Sequence, residues 1–195
     1  LWTNVLEPAF AEYLTAQGVA LDKIDWISNG VDRRHVDKSC HETDPRRANP
    51  EDLFTFTYFG AFGKANALDI LVKGFDLAFR DTAFEGTRLR LVGDGPERET
   101  LARLIDAADL TTSVALTGPV PKKEIPSLAA SSDALVASLL PLDLYEFGIS
   151  LNKLFDYIAA GKPILFPVRA RGNPITDPGG GLVPDVKAES GARDV

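Results

Sequence analysis

The chain has 195 residues, of which 45% are hydrophobic and 25% charged, and this ordinary globular composition excludes disorder of the whole chain. Its 16 Gly and 13 Pro follow no period, so collagen-like and low-complexity structures are excluded as well. The net charge of −7 argues against a nucleic-acid-binding protein, because binding to phosphates needs a basic face.

The N-terminal part is predicted to contain a helix over 8–17 and a strand over 23–32, followed by a polar linker over 33–51. The single cysteine, Cys40, lies in this linker between two histidines, where a polar linker is a better interpretation than a metal site. No apolar run approaches the ~20 residues of a membrane helix. Because the chain begins at Leu1 and ends on a polar stretch, we expect it to be a piece of a longer protein.

From residue 52 onward, predicted strands and helices alternate. The strands are expected at 53–60, 87–93, 113–118, 134–141 and 162–168. Helices are expected at 65–79, 97–109, near 122–130 and at 150–160. All but the short third one show apolar residues spaced three and four apart. Five strands alternating with four helices predict an α/β fold, a Rossmann-like parallel sheet with helices on both faces. Ligands of such sheets bind beyond the carboxyl ends of the strands.

The loop after the first of these strands suits an anionic ligand. Gly60 and Gly63 allow the backbone to approach a ligand closely, and Lys64 adds a positive charge beside them. The following helix would direct its N-terminal N–H groups at the same spot. The alternative is an ordinary strand-to-helix turn with a solvated lysine.

A second anion site is predicted where the fourth loop meets its helix. Gly148, Ile149 and Ser150 stand at the expected helix N-terminus, where N–H groups are free. Lys153 and Asp156 are three residues apart and therefore share a helix face. Chemically, the lysine suits a phosphate and the carboxylate suits the diol of a ribose. The alternative is a plain Lys–Asp pair on a solvated helix face.

Five segments in register resemble the family-4 retaining glycosyltransferases of the GT-B architecture. They read KIDWISNGVD, YFGAFGKANALDILVKGF, RLVGDGPERETL, VALTGPVPKKEIPSLAASSDALVASLLP and FGISLNKLFDYIAAGKPIL. Within that family the chain is most similar to bacterial enzymes of surface-polysaccharide biosynthesis, of the fucosamine or colanic-acid type. The resemblance implies two Rossmann-like domains, with 1–32 the end of the N-terminal acceptor domain and 52–195 a nucleotide-sugar donor domain truncated at its C-terminus.

The resemblance also implies roles for single residues. Those expected to contact the donor phosphates are Gly60, Gly63, Lys64, Gly148, Ile149, Ser150 and Lys153. Asp156 corresponds to the second acidic residue of the family's Glu-x7-Glu motif, which holds the ribose, and Val120 to the backbone contact with the base. Lys64, Lys153 and Glu146 are the expected catalytic residues.

The sequence departs from the family pattern at three points. The first Glu of the motif would fall at Gly148, so Glu146 substitutes only if the loop is re-registered. Ala61 stands near the usual Arg, and Leu151 replaces a usual Pro. No Asp-x-Asp occurs, which agrees with a metal-independent site in which lysines and helix N-termini stabilise the leaving diphosphate. No cofactor and no metal are therefore expected.

The predicted function is sugar transfer from a nucleoside diphosphate to a polysaccharide or lipid-linked acceptor, with retention and in the full-length protein only. One alternative is a non-catalytic nucleotide-binding module, because the first Glu and the Arg are missing. A Rossmann-type oxidoreductase is disfavoured because no GxGxxG follows the first two predicted strands of the sheet. We expect a cytoplasmic protein, with at most peripheral membrane association of the full-length form, and no nucleic-acid partner.

Overall fold

The computed structural model describes residues 2–32, 53–168 and 170–175, so the predicted linker and Cys40 lie outside the described residues. The N-terminal segment, residues 2–32, contains strand β1 (Thr3–Val5), helix α1 (Phe10–Ala16) and strand β2 (Ile24–Trp26). The two strands pair in parallel. The predicted helix is confirmed, whereas the predicted strand 23–32 is only three residues long and β1 is too short to give a sequence pattern.

The main sheet has five parallel strands, as predicted. They are β3 (Phe54–Phe59), β4 (Thr87–Val92), β5 (Val114–Thr117), β6 (Ala134–Val136) and β7 (Ile164–Leu165). Their order across the sheet is β5-β4-β3-β6-β7. The predicted strand 134–141 ends early, at Val136, although burial continues to Leu139 and the N–H of Ala137 still donates to the carbonyl of Leu165 (3.0 Å).

Four helices follow strands of this sheet. They are α2 (Leu68–Phe79), α3 (Arg98–Ala107), α4 (Ile125–Ala130) and α5 (Asn152–Ala159). The helix predicted from residue 65 begins later, because Ala67 has a left-handed backbone (φ 47°) that separates a 3₁₀ turn at Lys64–Asn66 from α2. Among the described residues, no helix is long and apolar enough to cross a membrane.

Neighbouring residues of one strand pack on opposite faces of the sheet. Tyr58 belongs to the core beneath α2 and α3, while Phe59 belongs to the core beneath α4 and α5. Leu91 and Val92 of β4 divide in the same way. Burial on both faces confirms helices on both sides of the sheet, and it explains the continuous apolar run of β6, whose three residues are all buried.

The order in which the chain adds strands to the sheet reverses between β3 and β6. The chain runs outward from β3 through β4 to β5 and then returns to place β6 on the other side of β3. In open α/β sheets, ligands bind at such a change of strand order, in the crevice beyond the carboxyl ends of the two strands. The strands pair only at Phe56–Ala134 and Thr57–Leu135.

Tyr157 of α5 occupies the gap where this pairing stops. Its hydroxyl donates to the carbonyl of Val136 (3.0 Å) and accepts from the N–H of Phe59 (3.2 Å). Both partners are backbone groups that the diverging strands no longer pair with each other. Burial raises the pKa of the Tyr157 hydroxyl, so it stays protonated and able to donate.

We expect Tyr157→Phe to lower the free energy of unfolding by about 1–3 kcal/mol, because it leaves a buried N–H and a buried C=O without a partner. Denaturant unfolding of the two proteins measures the difference. Tyr13→Phe is the control, since the Tyr13 side chain is exposed on α1, and it should change stability little. A loss no larger in Tyr157→Phe than in Tyr13→Phe would contradict the bridging role.

Candidate functional site

Two loops meet at the crevice between β3 and β6. The loop after β3 is tied to the segment after β6 by the N–H of Leu140, which donates to the carbonyl of Ala65 (2.9 Å). The hydroxyl of Ser138 donates to the carbonyl of Asn66 (2.6 Å). The two segments in which sequence analysis places the phosphate ligands are therefore fixed against each other.

Lys153 of α5 extends into this crevice. Its Nζ donates to Tyr58 Oη (2.8 Å) and to Asn66 Oδ1 (2.8 Å), and it lies 4.3 Å from the centre of the Tyr58 ring. Tyr58 and Asn66 in turn donate to the carbonyl of Ala61 (2.7 and 3.0 Å). These contacts hold the ammonium group beside Gly60, where a Cβ atom would lie 3.2 Å from Nζ.

Lys153 has no partner of opposite charge in the part of the chain that the structure describes. Among the described residues no carboxylate forms an ion pair with it, and Asp156 one turn away is no exception. Burial lowers the pKa of Lys153 to about 8. The solvated Lys–Asp pair considered from the sequence is therefore wrong. A partly buried cation without a described partner carboxylate is a candidate position for binding an anion.

Asp156 lies further along the same helix and is half-buried. Burial raises the pKa of its carboxyl group, and the positive charge of Lys122 partly opposes that shift. Lys122 follows the loop after β5, which also carries the half-buried Val120. The expected ribose and base contacts thus lie on neighbouring elements, and their roles stay predictions.

The start of α5 differs from the expectation. The helix begins at Asn152, with Leu151 as its N-terminal flanking residue. The N–H of Gly148 donates to the carbonyl of Tyr145 (3.1 Å), and that of Ile149 to the carbonyl of Gly172 (3.4 Å). The prediction that these two N–H groups are free is wrong for this structure, because the chain turns before the helix starts. First-turn N–H groups of α5, those of Asn152 and Lys153, have no partner within the helix.

Glycines determine the conformation of the loop after β3, whereas the Lys64 side chain has no contact that would do so among the described residues. Gly60 (φ 148°) leaves the space that the Lys153 side chain fills, whereas a Cβ atom at Gly63 would meet only Asn66, at 3.7 Å. Gly93 packs directly on the carbonyl of Gly60, where any side chain would collide. Lys64 is exposed, so its proposed contact with phosphate remains a prediction.

A cavity of about 660 Å³ opens next to this region. Its walls are Pro141, Leu142, Asp143, Tyr145, Glu146, Ala170 and Arg171. Its volume lies within the ~300–1,000 Å³ typical of small-molecule sites. Glu146, predicted as a catalytic residue, is exposed on this wall, and no contact in the structure assigns it a role.

The N-terminal segment is docked beside the same cavity. Asn29 Nδ2 donates to the carbonyl (3.0 Å) and hydroxyl (3.1 Å) oxygens of Ser150. Arg171 forms a two-pronged ion pair with Glu12 (2.7 and 2.6 Å). Rings of α1 also pack on Phe147 of the 3₁₀ turn at Asp143–Phe147. The segment thereby forms one side of the candidate site.

Sequence reasoning missed four residues that shape the site: Tyr58, Asn66, Tyr157 and Asn29. In the sequence, Tyr58 and Tyr157 cannot be told from aromatic residues of the core. Their part in the site is visible only from the hydrogen bonds of their hydroxyl groups. Asn66 stands in a segment already recognised as a ligand loop, so its polar side chain was an available signal. No group of three or more His, Cys, Asp or Glu side chains that could hold a metal occurs in the part of the chain the structure describes.

A sequence model of the family described as Glycosyl transferases group 1 matches residues 54–192. A comparison with curated protein sequences finds no significant match.

Solved structures with similar folds are glycosyltransferases of the GT-B type. A mutant of Staphylococcus aureus TarM in complex with fondaparinux, α-GlcNAc-glycerol and UDP is 15% identical (TM-score 0.64), with 88% of this chain and 30% of TarM covered. Anabaena HepE in complex with UDP and glucose is 17% identical (TM-score 0.64), with 87% of this chain and 45% of HepE covered. The lipopolysaccharide outer core galactosyltransferase WaaB, in its apo form, is 18% identical (TM-score 0.58), with 88% of this chain and 44% of WaaB covered. The chain therefore spans less than half the length of these proteins.

The unpaired charge of Lys153 predicts a pH-dependent effect on stability. The folded-state pKa is about 8 against 10.5 when unfolded, so the unfolded chain binds more protons between these values and the free energy of unfolding rises with pH there. Lys153→Met should be more stable than wild type by about 1–3 kcal/mol at pH 7, because it removes the uncompensated charge. This advantage should shrink as the pH rises from about 8 to about 10.5.

Denaturant unfolding across this pH range measures the advantage. The matched control is Lys73→Met, which removes an exposed lysine, and it should show no such pH-dependent difference. A difference in the free energy of unfolding between wild type and Lys153→Met that does not change with pH would contradict the lowered pKa of Lys153.

Proposed function

Because the chain belongs to the Glycosyl transferases group 1 family, we propose that it binds the nucleoside-diphosphate sugar donor of a retaining, family-4 glycosyltransferase. The observation that carries this proposal is Lys153, a partly buried ammonium group at the carboxyl edge of the sheet that pairs with no carboxylate among the described residues. A diphosphate supplies the missing negative charge. UDP in the TarM and HepE complexes supports the same class of ligand.

The donor is proposed to lie along α5 and across the crevice. Lys153, the first-turn N–H groups of α5 and Lys64 contact the diphosphate, together with the backbone around Gly60 and Gly63. Asp156 accepts hydrogen bonds from the ribose hydroxyls, and the backbone at Val120 contacts the base. Gly148, Ile149 and Ser150 contribute after rearrangement of the two hydrogen bonds that now occupy the N–H groups of Gly148 and Ile149.

In the proposed reaction, the bond from the sugar C1 to the diphosphate oxygen breaks, and a bond from C1 to an acceptor hydroxyl oxygen forms. The diphosphate leaves with the bonding electron pair and receives the proton of the acceptor hydroxyl. Lys153 and Lys64 stabilise its charge without a metal ion. Glu146 is proposed to act near the sugar from the cavity wall.

The acceptor is proposed to be a polysaccharide or a lipid-linked sugar, in bacterial polysaccharide biosynthesis at the cytoplasmic side. Residues 1–32 would close an acceptor-binding domain, and 52–195 would form the donor domain. We expect the 195-residue chain alone to bind donor without transferring sugar, because an acceptor must be held beside the donor for transfer. Sugar transfer by the purified chain would contradict this division.

Calorimetric titration with UDP and with pyrophosphate, both in excess EDTA, tests the assignment of Lys153 and Asp156. Asp156→Asn should weaken UDP binding roughly 10-fold or more, since it loses charge-assisted hydrogen bonds to the ribose, and should leave pyrophosphate binding nearly unchanged. Lys153→Gln should weaken binding of both ligands, because its charge contacts the phosphates they share.

Lys73→Gln removes an exposed positive charge from α2 and serves as the control. If Asp156→Asn lost equal affinity for UDP and for pyrophosphate, the assignment of Asp156 to the ribose would be wrong. Binding that disappears on chelation would contradict metal independence. No binding of UDP, GDP, ADP or dTDP by wild type would contradict the donor-binding function itself.

A further inference from the structure

Two neutral side chains from different elements hold the ammonium group of Lys153. Tyr58 stands near the end of β3, and Asn66 is the last residue of the 3₁₀ turn before α2. Both accept hydrogen bonds from Nζ, at 2.8 Å each. An ammonium group has three N–H donors. The two side chains therefore occupy two of these donors, and the third has no hydrogen-bond partner among the described residues.

One carbonyl group, that of Ala61, orients both acceptors. Tyr58 Oη donates to it (2.7 Å), and so does Asn66 Nδ2 (3.0 Å). Because Nδ2 is bound to Ala61, Oδ1 is the amide atom that faces Nζ. Burial raises the pKa of the Tyr58 hydroxyl, which therefore stays protonated and neutral beside the ammonium group. Both acceptors are thus oriented before any ligand binds.

The surroundings leave these side chains little freedom to rearrange. The carbonyl of Asn66 accepts from the hydroxyl of Ser138 (2.6 Å), so the backbone that presents the amide is fixed to the segment after β6. On the loop after β3, a Cβ atom at Gly60 would lie 3.1 Å from Tyr58 Oη and 3.2 Å from Lys153 Nζ. The hydroxyl and the ammonium group therefore occupy the space that a side chain at position 60 would need.

Neutral acceptors orient an ammonium group without cancelling its charge, whereas a carboxylate in the same place would form an ion pair and compete with an anionic ligand. A lysine side chain without such contacts must be ordered when the ligand binds, which lowers affinity. Resting on the proposed donor-binding function, we infer that Tyr58 and Asn66 are positioning residues for the donor diphosphate. They hold the Lys153 ammonium group in the crevice and leave its charge and one N–H donor to the ligand.

Calorimetric titration with UDP and with pyrophosphate tests this inference in double-mutant cycles. Tyr58→Phe and Asn66→Ala should each weaken the binding of both ligands roughly 3- to 10-fold, because each removes one contact that orders Lys153. In a Lys153→Gln background, the same two substitutions should change affinity less than about twofold. Tyr13→Phe, at an exposed tyrosine of α1, is the control and should bind both ligands like wild type.

Two results of these cycles would overturn the inference. Equal losses in the wild-type and Lys153→Gln backgrounds would show that Tyr58 and Asn66 act independently of Lys153. Tighter binding by Tyr58→Phe or Asn66→Ala would show that these side chains compete with the ligand for the ammonium group. Failure of wild type to bind either UDP or pyrophosphate would instead contradict the donor-binding function.

Asn66→Asp tests the arrangement without any ligand. It places a carboxylate oxygen where Oδ1 now accepts from Nζ, so the pKa of Lys153 should rise, as followed by NMR of isotope-labelled lysine side chains. Affinity for pyrophosphate should fall at least 10-fold. Asn4→Asp adds the same charge at an exposed residue of β1 and should change neither quantity. An unchanged Lys153 pKa in Asn66→Asp would overturn the inference, even if Tyr58→Phe failed to fold.

Discussion

The position of one hydroxyl group, that of Tyr157, governs the geometry of the candidate site. β3 and β6 pair for two residues and then separate, and Tyr157 supplies the hydrogen bonds that the separated strands would otherwise lack. The sheet can therefore open at its centre without leaving a buried N–H or C=O unpaired. Because Tyr157 belongs to α5, the same contact fixes the helix that carries Lys153 and Asp156. Tyr157 therefore links the opening between β3 and β6 to the position of the site residues on α5.

The second determining feature is the charge of Lys153, which no carboxylate among residues 2–32, 53–168 and 170–175 neutralises. Lys153 is surrounded by an aromatic ring, a hydroxyl and an amide oxygen, all of which orient an ammonium group. None of these groups carries a negative charge, so an anionic ligand would supply one. The lowered pKa of Lys153 and its proposed role in anion binding have the same origin, the burial of this ammonium group. Under the proposed function, the buried charge reduces stability at the position where the donor would bind, as is common at functional sites.

Much of the fold follows from local patterns in the sequence. The strands of the main sheet show alternating or continuous apolar residues, and three of the four helices show an apolar stripe, so the order and type of the elements from residue 53 onward were predictable. Their ends were not, because Ala67 and the turn before Asn152 depend on tertiary contacts. Lys153 and Asp156 were identified from spacing and resemblance. The partners of Lys153 and the docking of Asn29 join residues distant in sequence, which no local pattern reveals.

The central claim is that a nucleoside diphosphate binds in the crevice between β3 and β6, along the start of α5. Amide chemical-shift mapping by NMR during a UDP titration tests this claim most directly. The account predicts that the largest changes fall in residues 60–66 and 150–156, at the carboxyl edge of the sheet, with little change at its amino edge around Thr87 and Asp133. Saturable changes confined to the amino edge, with residues 60–66 and 150–156 unaffected, would contradict it.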